Sequence, residues 1–261
     1  MSSLTIGRAA SAVLLALLTT AALSSAQTAS TPVPKQSNSI PKRGPAIFQF
    51  NGKDLTQFDS FLQQDGLNHD PTHVFTVEDG VIHVSGMEMG YLVTKNDYKN
   101  YYLRAEFKWG EGTFGSQAGH ARDAGILYNI QGPNHVWPRS IEFQISEGAT
   151  GDFWMTDGAA LTGKDGVRVT GPPGNAKEID RFNKSPWKDV INFRDPVNDL
   201  ENPHGEWNVV ELVNRDGHVW QYVNGTLANE GTDAFPASGK ILFQSEGGEI
   251  YYRNIEIYPL E

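Results

Sequence analysis

From about residue 73 onward, short runs of alternating apolar and polar residues are separated by tight, glycine-containing turns. Alternation with a period of two gives each run one apolar face, the pattern of a half-buried β-strand. Residues 73–77 and 81–85 flank Glu78-Asp79-Gly80, a hairpin signal. In residues 101–109, Leu103, Ala105, Phe107 and Trp109 share one face, and Arg104, Glu106 and Lys108 the other. Residues 125–130 and 140–146 read as two more strands. Residues 207–213 and 219–223 flank Asp216-Gly217, and Asn224-Gly225 follows as a second tight turn, which makes a meander. Residues 240–245 and 250–258 close the chain around Gly247-Gly248. No amphipathic stretch is longer than about three helical turns. Many short strands with one apolar face each, and no helices to cover them, predict an all-β two-sheet sandwich.

The N-terminal part reads differently. Arg8 precedes an apolar run over residues 9–23, and Ser24-Ser25-Ala26 places small residues where a signal peptidase cuts. The run is short for a membrane span, and Thr19 and Thr20 weaken it. Residues 1–26 are therefore predicted to be a signal peptide cleaved after Ala26. The mature protein is then periplasmic or secreted, with no membrane attachment. Residues 27–44, rich in Ser, Thr, Pro and Gln, predict a flexible linker. Residues 45–261 form the predicted single domain. Its stretch 148–204 has many Gly, Pro, Asn and Asp and little periodicity, and predicts a long functional loop region. The chain has no cysteine, which excludes disulfides, thiolate metal sites and a cysteine nucleophile. Its formal net charge of −10 argues against a nucleic-acid partner.

Chemistry is best sought on the polar strand faces. In Ser140-Ile141-Glu142-Phe143-Gln144-Ile145-Ser146-Glu147, Glu142, Gln144 and Ser146 point away from Ile141, Phe143 and Ile145. Glu147 rejoins them only if the strand bulges there. Gln244 and Glu246 share a face of the strand 240–245 and its extension. Two such pairs predict a shared polar cleft. Arg253 lies in line with Tyr251, Ile255 and Ile257, as either a structural charge or a substrate anchor. His135 and Trp137 lie in a loop just before the Glu142 strand, where an aromatic ring suits a sugar face.

Several stretches together resemble the 3-keto-disaccharide hydrolase domain family. They are Phe50-Asn51-Gly52-Lys53-Asp54-Leu55, residues 101–109, Asp123-Ala124-Gly125-Ile126-Leu127-Tyr128 and residues 140–152. Gly205-Glu206-Trp207-Asn208, Val223-Asn224-Gly225 and residues 239–257 complete the set in order. The resemblance implies a concanavalin-A-like jelly-roll sandwich acting on sugars oxidised at C3, with an oligosaccharide or glycoside as partner. It implies that Glu142, Gln144 and Arg253 lie in the site. Three positions depart from the family. Many members carry Asn-Ser-Gly at Asp123-Ala124-Gly125, a basic residue at Asn129 and a histidine at Glu246.

A C3 ketone acidifies the C2 hydrogen, so a base at C2 allows the C1 substituent to leave by β-elimination. Water then adds back, and the net result is hydrolysis. Glu142 is the expected base or metal-held carboxylate, with Glu246 or Glu147 as the acid. Arg253 or a divalent cation would stabilise the enolate, with Glu142 and Glu246 the best candidate ligands. Gln144, Gln244, Asn129, Tyr128, His135 and Trp137 are the expected substrate contacts. Three other readings stay open, one of them a structural domain of a larger secreted assembly. Glu142-Phe143-Gln144-Ile145-Ser146-Glu147 resembles the Glu-x-Asp-x-x-Glu motif of laminarinase-type retaining glycosidases, with Gln in place of Asp. A non-catalytic carbohydrate-binding module would instead show aromatics without converging carboxylates.

Overall fold

The computed structural model describes residues 44–260; the predicted signal peptide and nearly all of the predicted linker lie outside the described residues. The expected strands form, mostly one to four residues longer than the sequence pattern alone suggests. In chain order they begin with β1 (Phe48–Gln49), β2 (Phe58–Leu62), β3 (Gly66–Leu67), β4 (Phe75–Glu78), β5 (Val81–Val84) and β6 (Gly90–Thr94). The middle of the chain gives β7 (Tyr101–Thr113), β8 (Asp123–Gln131), β9 (Arg139–Ser146), β10 (Phe153–Thr156), β11 (Ala160–Gly163), β12 (Arg168–Thr170) and β13 (Ala176–Ile179). The last five are β14 (Asn208–Arg215), β15 (His218–Val223), β16 (Thr226–Phe235), β17 (Lys240–Ser245) and β18 (Gly248–Pro259). Asp79, Asp216 and Asn224 hold φ near +50° at the hairpin turns, each followed by a glycine that also has positive φ. That pairing fits the twist of antiparallel strands.

Two antiparallel sheets result. The ten-stranded sheet runs β12-β11-β16-β15-β14-β7-β18-β5-β4, with β1 paired to β18. The eight-stranded sheet runs β13-β10-β9-β8-β17-β6-β2-β3. The interior is filled from both. Leu103, Ala105, Phe107 and Trp109 of β7 meet Ile126 and Tyr128 of β8, Ile141, Phe143 and Ile145 of β9, and Phe243 of β17. This burial is the main favourable term for a fold without disulfides.

The stretch expected to be one long loop is only partly so. Residues 148–179 include β10 to β13, and the irregular part is 180–207. These strands are three or four residues long, too short to show a period in sequence. Three buried ion pairs or clusters fix the irregular segment. Arg181 Nη2 meets Asp195 Oδ2 at 2.8 Å, and Lys184 Nζ lies among Asp152, Glu178 and Asp180. Arg122 Nη1 meets Glu147 Oε1 at 2.8 Å, while Asn192 N–H donates to the same carboxylate. Paired charges of this kind order a segment that lacks an apolar pattern of its own.

Candidate active site

Strand parity puts Asp123 and Gly125 of β8, Glu142, Gln144 and Ser146 of β9, and Gln244 of β17 on the outer face of the eight-stranded sheet. Gly125 pairs with Gln144, and Glu142 pairs with Leu127 on one side and Trp154 on the other. Gly125 is the permissive centre of this strip. A Cβ there would lie 2.2 Å from Glu142 Oε1 and 2.5 Å from Gln244 Oε1. The absence of a side chain lets carboxylate and amide converge over the backbone of β8.

The strip is acidic and dry. Glu142 is 5% exposed and Gln144 7%. Gln144 Nε2 donates to Asp123 Oδ1 at 2.7 Å. Trp137 Nε1 donates to Glu246 Oε1 at 3.1 Å, and the indole packs with Tyr91, Val93, Leu127 and Leu242 on the same outer face. Glu142 Oε1 and Gln244 Oε1 are buried without a hydrogen-bond partner. Such groups are costly and mark places where a ligand completes the bonding. Burial, reinforced by the charges of Glu246 and Asp123, holds the Glu142 carboxyl well above the usual carboxylate range. Burial and the Glu246 charge do the same to Asp123. Burial pushes Glu246 up to about 7, against the opposing hydrogen bond from Trp137.

Beyond Asp123 and Gln144 the strip opens into a cleft of about 570 Å³. Its lining includes Ser146, Trp154, Lys184 and Trp187. The Asp152, Glu178 and Asp180 carboxylates also line it, their ligand oxygens within 4.8 Å of one another. Lys184 Nζ sits among them, 2.6 Å from Glu178 and 2.7 Å from Asp180. Burial pushes Asp152 up to about 7, and Lys184 opposes the rise.

The family model described as the 3-keto-alpha-glucoside-1,2-lyase-like domain matches residues 46–258. The chain belongs to this family. Among solved structures it is similar to two Parabacteroides distasonis proteins described as candidate glycosyl hydrolases. One is 24% identical, with 81% of this chain and 92% of that chain covered and a TM-score of 0.52. The other is 18% identical, with 82% and 98% covered and the same score. A structure from work on endo-acting O-glycanases of the human gut microbiota is 13% identical, with 83% and 100% covered, also at 0.52. No curated protein matches the chain. The 3-keto-glucoside lyase-like chain is thus a carbohydrate-active protein with a concanavalin-A-like jelly roll.

Against that family the expected site needs correction. Glu142, Gln144, Gln244, Glu246 and Trp137 do come together. Arg253 does not join them. A bulge between Arg253 and Glu256, with Asn254 at φ 49°, reverses the parity of β18. Ile255 and Ile257 turn inward and are fully buried, while Arg253 stays on the outer face of the ten-stranded sheet. There its Nε donates to Glu106 Oε2 at 2.7 Å, and its guanidinium stacks 3.9 Å from the Trp207 ring centre. Glu147 turns inward to Arg122 and does not face the cleft as an acid. Tyr128 lies between the sheets, fully buried, with its hydroxyl 3.5 Å from Gln221 Nε2. Asn129 is also buried, accepting from Tyr101 Oη and donating to the Pro236 carbonyl. Both are packing residues. His135 lies in the Trp137 loop, but its ring meets the Pro133 carbonyl at 3.0 Å and Asp157 at 3.9 Å. Among the described residues, Asp152, Glu178 and Asp180 are the group of three carboxylates close enough to share one ion, and Lys184 already occupies their centre.

Sequence reading missed Asp123, Trp154, Lys184 and Trp187. Asp123 had a signal: it stands two residues before Gly125 on the same face. The others come from short strands and ion-paired loop, where no periodicity announces a face.

Proposed function

We propose that the protein cleaves glycosides of 3-keto sugars by elimination and rehydration. The buried, unpartnered Glu142 Oε1 above Gly125 carries this reading. Glu142 removes the C2 proton, and the electrons pass into the C2–C3 enolate. As the C3 carbonyl re-forms, the C1=C2 bond forms and the C1–O bond breaks. Glu246 supplies the proton that the leaving oxygen takes. Water then adds at C1 and a proton returns to C2, giving the free 3-keto sugar and the alcohol. The two carboxyls share one proton as a coupled pair, and the reactive microstate is the one in which Glu142 is ionised and Glu246 holds the proton. The second N–H of Gln144 and the amide of Gln244 are the neutral donors in reach of the C3 oxygen.

Two observations disfavour the glycosidase and binding-module readings. A retaining glycosidase needs Glu142 and Glu147 across one bond, and Glu147 is sequestered by Arg122. A binding module needs no converging carboxylates, whereas here the charges of Glu246 and Asp123 raise the Glu142 pKa and the Glu246 charge raises that of Asp123. The test is incubation with a 3-keto-glucoside and with its unoxidised parent. Cleavage of the keto form alone, lost in Glu142→Gln, supports the proposal; equal cleavage of both overturns it.

Export to the periplasm or medium is part of the same proposal. It rests on Arg8, the apolar run and Ser24-Ser25-Ala26. A secreted form whose mass starts at Gln27 supports it, and a retained Met1 contradicts it.

A further inference from the structure

Trp187 lines the cleft, and the chemistry above gives it no task. It is 41% exposed, yet its ring is fixed, because Nε1 donates to the Glu147 carbonyl at 2.8 Å. The segment carrying it is clamped at several points. Arg181 Nη2 donates to the Gly148 carbonyl at 3.0 Å and to Asp195 Oδ2 at 2.8 Å. Lys184 directs all three N–H donors to Asp152, Glu178 and Asp180. Ser185 N–H and Oγ–H both donate to Asp195. An exposed tryptophan held this way is a preorganised wall, and binding against it loses little side-chain entropy.

The position of that wall defines what it touches. A reacting ring must reach Glu142, and Glu142 lies over Gly125 between β9 and β17. The cleft starts at Asp123 and Gln144 and extends to Trp154, Lys184 and Trp187. The β8–β17 register, continued from Phe243↔Ile126, sets Glu246 beside Asp123 at the near end of this cleft, so a keto sugar whose C1 oxygen faces Glu246 projects its C1 substituent into this space. Among the described residues the lining is acidic: Asp123, Asp152, Glu178 and Asp180 stand against Lys184 as the single cation. Lys184 has no donor left, so an anionic group here would meet carboxylates and no free cation.

The geometry points to a leaving-group subsite in which an uncharged ring stacks on Trp187 and from which anionic leaving groups are excluded. This rests on the keto-glycoside reading. The flat face belongs either to an aromatic ring or to a second sugar, and Lys184 is a positioning residue for the wall.

Four 3-keto-glucosides test it: methyl, phenyl, glucosyl and 4-carboxyphenyl. In Trp187→Ala, kcat/KM on the phenyl or glucosyl substrate should fall about 3- to 10-fold, mainly through KM, as expected for one ring contact. The methyl substrate should change less than twofold, and Trp187→Phe, which keeps a ring but loses the Nε1 bond, should restore part of the loss. The larger loss identifies the preferred ring. The wild-type protein should turn over the 4-carboxyphenyl substrate at least tenfold less well than the phenyl one. Equal losses on all substrates, no loss on any, or equal turnover of the charged and uncharged aryl glycosides would each overturn the subsite. Failure to cleave any of the four would overturn the keto-glycoside reading itself, and the subsite with it.

Discussion

Glu246→Gln should stabilise the protein, but only above the pH at which Glu246 ionises. The carboxyl has an ordinary value of 4.5 and is pushed to about 7 in the folded state. Each pKa unit corresponds to about 1.4 kcal/mol, so ionising Glu246 costs the fold up to about 3 kcal/mol. The sign follows from which state binds the proton. Below pH 4.5 Glu246 is neutral folded or unfolded, and there is no penalty. Between pH 4.5 and about 7 the unfolded chain releases its proton first, and stability declines. Above about pH 7 the full penalty is present. Glutamine never ionises and keeps the acceptor for Trp137 Nε1. Melting curves of the two proteins should therefore differ little at pH 4. By pH 8 the variant should lead by about 6–12 °C, at roughly 2–4 °C per kcal/mol for a domain of this size. A constant offset between the curves, or a variant that loses ground as pH rises, would refute the desolvated Glu246 carboxyl.

Other substitutions separate catalytic from structural roles. Gly125→Ala should cost about 100-fold or more in activity, because its Cβ would displace both Glu142 and Gln244 from above β8; steady-state kinetics beside a melting curve measures this. Arg253→Ala should leave activity within about twofold and cost about 1 kcal/mol or less, since its ion pair lies on the outer face of the ten-stranded sheet. A tenfold loss there would restore it as a substrate anchor. Glu147→Gln should destabilise by about 3–5 kcal/mol, because it leaves the buried Arg122 without its counter-charge. Denaturant titration reads that loss directly.

Much of the fold was legible before the structure. The turns at Asp79-Gly80, Asp216-Gly217 and Asn224-Gly225 set hairpins, and alternation along β9 and β17 put Glu142, Gln144 and Gln244 on one face. Parity is local, so it holds only while the strand stays regular. At Asn254 a single bulge reversed it, and the reading of Arg253 failed with it. Glu147 failed for a related reason: the chain turns after Ser146, and a partner 25 residues back, Arg122, decides where the carboxylate goes. Lys184 and Trp187 were beyond reach altogether. Their placement depends on ion pairs between residues far apart in sequence, which leave no period behind.

The central claim is that the C2–H bond breaks. Turnover of a 3-keto-glucoside in heavy water, followed by mass spectrometry or NMR of the released keto sugar, tests it most directly. The account predicts deuterium at C2 of the product, formed at the rate of cleavage. Released sugar that keeps its original C2 hydrogen would exclude elimination and contradict the role assigned to Glu142.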